Sequence, residues 1–295
     1  NYLDPDKYIQ IWGFYAGWGK RLRWPDDYFQ LSLQLSYQRY ILKNWRYFFV
    51  MSNGTANNLS LNITLNRSST DNQLFPRTGS EFTASLSITP PWSKFDKKDY
   101  KHLANDRFSA TYQQEQQEKY RWVEYHKWKF KARTFTALSN GNKCFVLMTR
   151  VEFGLLGSYN KYKKSPFETF YMGGDGMSGY SSNYAQETIG LRGYDNGQLT
   201  QHGEGYAYDR MTLELRYPLL LGNTTIYGLG FLEAGNAWTE TSKFNPFDMK
   251  RSAGIGVRIF LPMVGMMGID WAYGFDKVFG KKGGSQFHFI LGQEF

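Results

Sequence analysis

Side chains able to make or break bonds are few in this sequence, and they are badly spaced for the task. Cys144 is the only cysteine in 295 residues, so no intrachain disulfide or thiolate metal set can form. Its place near a strand start suits a small packed side chain better than a nucleophile. His102, His126, His202 and His288 are scattered, with neither metal-ligand spacing nor an acidic partner motif. The GGDG at 173–176 is not followed by the lysine and serine or threonine that complete a phosphate cradle, and no strand-to-helix context supports a dinucleotide site. No carboxylate pair can be nominated for glycoside cleavage. The expectation is a protein without catalytic residues, metal or cofactor. What remains is charge pairing and aromatic packing between about 158 and 205, where PFETFYMGGDGMSGY (166–180) and GLRGYDNGQLT (190–200) hold Gly173, Gly174, Leu191, Arg192, Gly193 and Tyr194. Read alone, both motifs are glycine-rich turns. A connection of this length and composition is nevertheless expected to pack against something.

The elements that would position these residues are strands. Between 206 and 219, Met211, Leu213, Leu215 and Tyr217 share one face and Thr212, Glu214 and Arg216 the other, a period of two. Ala253, Ile255, Val257 and Ile259 oppose Ser252, Gly254, Gly256 and Arg258 in the same way, and Met267, Ile269, Trp271, Tyr273 and Phe275 oppose Gly268, Asp270, Ala272 and Gly274. In the final QFHFILGQEF, Phe287, Phe289, Leu291 and Phe295 point one way and His288, Gly292 and Glu294 the other, with Ile290 as the exception. By the same parity Glu233 faces the side of Leu229, Phe231 and Gly235, and Gly230 and Leu232 face away.

Alternation places eleven strands, at about 8–21, 28–41, 54–67, 80–90, 122–137, 143–157, 206–219, 225–238, 251–261, 266–277 and 286–295, with a helical segment around 112–122 as a secondary feature. Short turns at 23–27, 139–143, 220–224 and 262–265 alternate with long connections near 92–121, 158–205, 239–250 and 278–285. Short turns at one end and long loops at the other predict an all-β, antiparallel transmembrane barrel. A soluble sheet with one wet face alternates too and is the competing reading.

The richest apolar run, 259–269, is only 11 residues long, contains Pro262 and Gly265 and is closed by Arg258 and Asp270, too short for a transmembrane helix, which leaves a transmembrane sheet open. Lipid does not tolerate an unpaired sheet edge, so an odd strand count means either that alternation misplaces one strand or that residues 1–295 are the C-terminal portion of a larger barrel domain whose first strands lie upstream, the second being the expectation. Asn1-Tyr2-Leu3-Asp4-Pro5, with neither initiator methionine nor signal-peptide features, fits that expectation.

Composition agrees. Aromatic residues at 18%, 30 glycines, 9 prolines and 21% charged residues argue against disorder and helical repeats. The net charge of +9 permits an acidic or phosphorylated partner. The basic residues of 119–133 alternate with rings as on a strand descending from an exterior loop, so nucleic acid is not expected and anionic lipid heads or partner proteins are.

The segment Phe167-Glu168-Thr169-Phe170-Tyr171-Met172-Gly173-Gly174, followed by Leu191-Arg192-Gly193-Tyr194, resembles the signature of the Omp85 superfamily. The order ELRYP (214–218), FLEAGNAW (231–238), RSAGIGVRIFLP (251–262) and QFHFILGQEF (286–295) is similar to the branch of that superfamily that assembles outer-membrane proteins. NQLFPRTGSEFTASLSIT (72–89) resembles a family turn and its strand, and WPDDYF (24–29) and EYHKWKFKA (124–132) resemble versions from the Bacteroidota. The resemblance implies a sixteen-stranded barrel, of which these would be the sixth to sixteenth strands. Its first strands and periplasmic POTRA domains would then lie outside this chain. It also implies a bacterial outer-membrane location, with short turns periplasmic and long loops extracellular.

For individual residues, the resemblance implies that Arg192 folds into the lumen and pairs with Glu233, on the thirteenth strand of the family, with Glu214 as a second carboxylate. The family usually offers aspartate where Glu233 stands. Without the resemblance, all three read as lumen charges solvated by water. Gly193 is expected to permit a tight tip, Tyr194 to anchor it, and Gly173 and Gly174 to let the loop pass close to the wall. Phe287, Phe289, Gly292 and Phe295 resemble the terminal strand signal that meets the first strand at a weak seam, with Gly292 sparing the lumen a side chain or weakening pairing. The implied function is folding and insertion of outer-membrane barrels through that seam by strand addition. The implied partners are unfolded substrate barrels, accessory lipoproteins or surface subunits, the bilayer and lipopolysaccharide. A related translocation or partner-secretion transporter, or a passive porin or adhesive barrel, is the alternative.

Overall fold

The computed structural model describes residues 6–45, 51–106, 108–141, 143–176, 186–200 and 204–292. In chain order its strands are β1 (Tyr8–Arg21), β2 (Phe29–Lys43), β3 (Gly54–Ser68), β4 (Gly79–Ile88), β5 (His126–Ala137), β6 (Val146–Gly157), β7 (Thr169–Met172), β8 (Gln186–Ile189), β9 (Ala207–Leu220), β10 (Thr225–Trp238), β11 (Lys250–Leu261), β12 (Gly265–Val278) and β13 (Lys281–Leu291). All but β7 and β8 form one 11-stranded sheet in chain order, antiparallel throughout. Among the described residues no pairing joins β1 to β13, so the sheet has two free edges.

The faces of this sheet are inverted relative to a soluble protein. Leu232 is 58% exposed and its neighbour Glu233 4%; Ile269 is 51% exposed and Asp270 0%. Leu213, Leu215, Ile255, Val257, Phe287 and Phe289 are exposed on the apolar face, while Thr212, Glu214, Ser252 and Arg258 are buried on the polar one. An apolar outer band around a polar interior is stable against hydrocarbon, not against water. The soluble alternative therefore falls, because among the described residues no second protein layer covers the apolar rows.

The connections on one side of the sheet pack against it, and the one between β6 and β9 fills its inner face. In the segment between β4 and β5, helices α1 (Trp92–Phe95) and α2 (Tyr112–Lys119) precede residues 121–125, where the Asn57 amide donates to the Arg121 carbonyl (2.9 Å) and Val123 to Asn57 (2.8 Å). The chain thus extends the sheet beside β3 before β5 begins, four residues later than the alternation predicts. The segment between β6 and β9 folds inward, with β7 and β8 pairing in parallel, an element that period-two reading does not find in four-residue pieces. Tyr40 stacks on Phe167 at 4.4 Å, and Phe170 meets Tyr208 edge-on at 4.6 Å, in an apolar cluster that roofs the interior.

One connection differs in kind from the sequence expectation. The loop expected near 278–285 is the two-residue turn Phe279-Gly280, with φ of 48° and 82°. Two positive φ values in succession match the twist of a tight hairpin. Lys281 and Lys282, loop-like by composition, already pair with Val278 and Lys277. The last strand therefore starts earlier than residue 286, and 293–295 lie outside the described residues.

Candidate functional site

Arg192 follows β8 on the inward-folded connection and is 3% exposed. Its guanidinium meets three carboxylates, one from each of three wall strands: Glu214 on β9 at 2.8 Å, Glu233 on β10 at 2.7 Å and Asp270 on β12 at 2.8 Å. Its backbone amide donates to the other Glu233 oxygen at 3.0 Å, and the guanidinium lies 3.5 Å from the centre of the Phe231 ring. Period two puts all three acids on the inward face, and Thr212, cross-strand from Glu233, donates to it at 3.2 Å. Gly256 makes the room on β11: a Cβ there would fall 1.7 Å from an Asp270 oxygen.

Two further arginines complete the cluster. Arg258 donates to both Asp270 oxygens (2.5 and 2.8 Å), and Arg216 donates twice to Glu214 (2.8 and 2.6 Å). Three cations thus face three carboxylates in a buried layer, which offsets the desolvation cost that any one of them would carry alone. Burial works against the charge on Arg192, but Glu233 and Glu214 outweigh it and hold the proton well beyond the ordinary arginine range.

Gly193 has φ 88°, and a Cβ there would lie 2.7 Å from the Gly274 nitrogen. The wall reciprocates: a Cβ on Gly274 or Gly283 would sit 2.3 or 2.7 Å from the Gly193 carbonyl. The loop tip therefore lies against β12 and β13 through three glycines. The Gly193 amide donates to His288 Nε2 at 2.9 Å, which places that ring's proton on Nδ1 in the neutral form. Tyr194, fully buried, donates its hydroxyl to the Arg251 carbonyl at 2.7 Å. Asp195 accepts from Gln286 at 2.8 Å and pairs with Lys281. Leu191 exchanges backbone hydrogen bonds with Gly174 at 3.0 and 3.1 Å.

The structure therefore brings Leu191, Arg192, Gly193, Tyr194, Glu214 and Glu233 together. Gly173 and Gly174 serve a different contact from the one expected. A Cβ on Gly173 would strike the Asp195 carbonyl (2.4 Å) and one on Gly174 the Asn196 side chain (1.6 Å), so they admit the loop's own returning leg, not the wall. Wall access is provided instead by Gly154 and Gly235, where a Cβ would meet Phe170 at 2.8 Å and Met172 at 2.7 Å. Phe287 and Phe289 lie on the exposed outer face, away from Arg192. Gly292 has φ 93° with open space around a Cβ, so its backbone, not lumen crowding, calls for glycine. Phe295 and His202 lie outside the described residues.

Sequence reasoning missed Asp270, Arg258, Arg216 and His288 as members of this site. Their inward parity was legible; what no period reveals is that side chains from β9, β10 and β12 reach one point. Among the described residues no group of three or more His, Cys, Asp or Glu is arranged to hold a metal.

The family model described as the Omp85 superfamily domain matches residues 10–295. Among solved structures, the chain is similar to BamA from Haemophilus ducreyi lacking POTRA domains 1-3, with a TM-score of 0.63 and 17% identity, over 95% of this chain and 53% of that one. That likeness is one of fold, and this chain spans about half the length of the other. No curated protein matches the sequence.

Proposed function

Because this chain belongs to the Omp85 superfamily, we propose that it is the barrel portion of an outer-membrane protein insertase, a non-catalytic assembly factor. The observation that carries this reading is the Arg192 tip, held by carboxylates on β9, β10 and β12 inside a sheet whose outer face is apolar. A loop fixed to three wall strands braces the interior and fills it without need of bond chemistry.

The work falls to a strand edge. Among the described residues β13 pairs only with β12, and the amides and carbonyls of its far edge need partners that hydrocarbon does not supply. An incoming unfolded strand would satisfy them by adding to the edge, next to the lipid-facing row of Phe287 and Phe289. Insertion and pairing then proceed together, driven by the stability of the inserted product. In this reading the long connections face outward from the cell and the short turns face the periplasm. The partners are unfolded barrels, accessory lipoproteins or surface subunits and the bilayer with its lipopolysaccharide. We infer a version from the Bacteroidota, a reading supported by the resemblance of the motifs at 24–29 and 124–132.

The test is reconstitution of the full-length protein in vesicles with several urea-denatured outer-membrane barrels of different strand number, scored by heat-modifiable mobility. Faster folding of all of them is expected. Acceleration of one narrow cargo would favour a dedicated translocation or secretion branch, and no acceleration with ordinary ion conductance would leave a passive pore.

A further inference from the structure

We propose that a cationic cleft on the outer face of β2 and β3 binds the phosphorylated sugar headgroup of a membrane glycolipid. This rests on the orientation proposed above, with the long connections on the glycolipid-bearing surface.

Along β2 the outward row runs Leu31, Leu33, Leu35, Tyr37, Arg39, and the register sets Leu61, Leu59 and Asn57 of β3 opposite the last three. The inward neighbours Tyr40, Leu42, Ala56 and Asn58 are buried, which fixes the face. One continuous surface thus changes from hydrocarbon to polar at the level of Tyr37. Rings mark that level: Trp122 lies 6.5 Å from Tyr37 and 4.7 Å from Trp92. Aromatic side chains gather where hydrocarbon gives way to headgroups.

Next to the rings opens a cleft of about 600 Å³ between the strands and α2. Gln117 pins the helix to the wall, accepting from the Thr55 amide and donating to the Thr55 carbonyl, each at 2.5 Å. Arg39, Arg121 and Lys98 line the cleft with Glu118, Gln114 and Asn57. Lys98 and Glu118 neutralise each other at 2.6 Å. Arg39 and Arg121 have no ion pair among the described residues, and the one carboxylate lining the cleft, Glu118, is taken by Lys98, so two guanidinium forks line one opening without a carboxylate of their own. Such forks match phosphate oxygens, and the side-chain amides match sugar hydroxyls. Acyl chains attached to the same headgroup would run down the leucine rows of β2 and β3. A phosphate without sugar, or a sugar without phosphate, uses half of these groups.

The test uses full-length protein in phosphatidylcholine nanodiscs, with bisphosphorylated lipid A, dephosphorylated lipid A and phosphatidylglycerol as probes, read by native mass spectrometry. The Arg39→Gln/Arg121→Gln variant is expected to bind bisphosphorylated lipid A at least about tenfold more weakly, from the loss of two charge-assisted contacts. Wild type should prefer bisphosphorylated lipid A by a similar factor over either other probe. The Arg39→Lys/Arg121→Lys variant should fall between, and heat-modifiable mobility reports that each variant is folded. Unchanged affinity in the glutamine variant, or equal binding of phosphatidylglycerol, overturns the proposal. Labelling Gln114→Cys in a Cys144→Ser background on whole cells separates the premises. Reaction only from the periplasmic side sinks the orientation, whereas outside labelling with unaltered lipid binding sinks this site alone, and barrel insertion in glycolipid-free vesicles is scored independently of both.

Discussion

Arg192 is surrounded by more acid than one arginine needs, and the cluster balances only because Arg216 and Arg258 are counted with it. Removing the central cation leaves Glu233 without a side-chain cation among its hydrogen-bond partners and deprives Glu214 and Asp270 of one of theirs. Breaking a buried pair from one side costs about 3–5 kcal/mol, because the stranded charge stays buried. Arg192→Ala is therefore expected to release the loop and lower the amount of folded protein, with protease cleavage appearing between 158 and 205. Arg192→Lys keeps the charge but cannot reach Glu214, Glu233 and Asp270 as a planar fork does, so intermediate protection is expected. Protection and abundance equal to wild type in the alanine variant would show that the pairing does not hold the loop.

For the strands, alternation carries the argument, and neighbouring positions on one strand answer to different solvents. On β10, Leu232 faces lipid and Glu233 the loop tip. Leu232→Arg is expected to cost about 2–4 kcal/mol if it lies near the bilayer midplane, measured as a lower urea midpoint for folding into vesicles. Gln34→Arg, on the half-buried polar face of β2, should cost under about 1 kcal/mol in the same titration. Equal losses at the two positions would contradict the assignment of faces. The same strands show where a sequence reading of elements stops. Main-sheet strands are recovered to within a few residues because each carries enough alternating positions, whereas β7 and β8 are too short to show a period. The Phe279-Gly280 hairpin was hidden because Lys281 to Gly284 have loop-like composition, and their pairing is decided by β12 beside them.

Taken whole, the molecule presents an antiparallel sheet with edges at β1 and β13 among the described residues. Edges exposed to hydrocarbon cost several kcal/mol per unpaired backbone group, so the 295 residues alone are not expected to insert as a closed monomer. Expressed by themselves and added to vesicles, they should give neither a heat-modifiable monomer nor stable conductance, whereas the full-length protein should give both. A compact, lipid-inserted monomer of this stretch alone would mean that β1 and β13 can close on each other.

The sequence by itself determined the sheet and its two faces, because side-chain direction in a strand depends only on parity, whereas which face lies inside was decided by the structure. The sequence also singled out Arg192, through a glycine-flanked motif that resembles a known family. The tertiary structure alone decided that Asp270, Arg258 and Arg216 share that arginine's charge layer, that Gly274 and Gly283 receive the tip, and that Arg39 and Arg121 line one cleft. These are meetings between segments far apart in the chain, brought about by strand register, curvature and the path of a loop, and none of those leaves a local period to read.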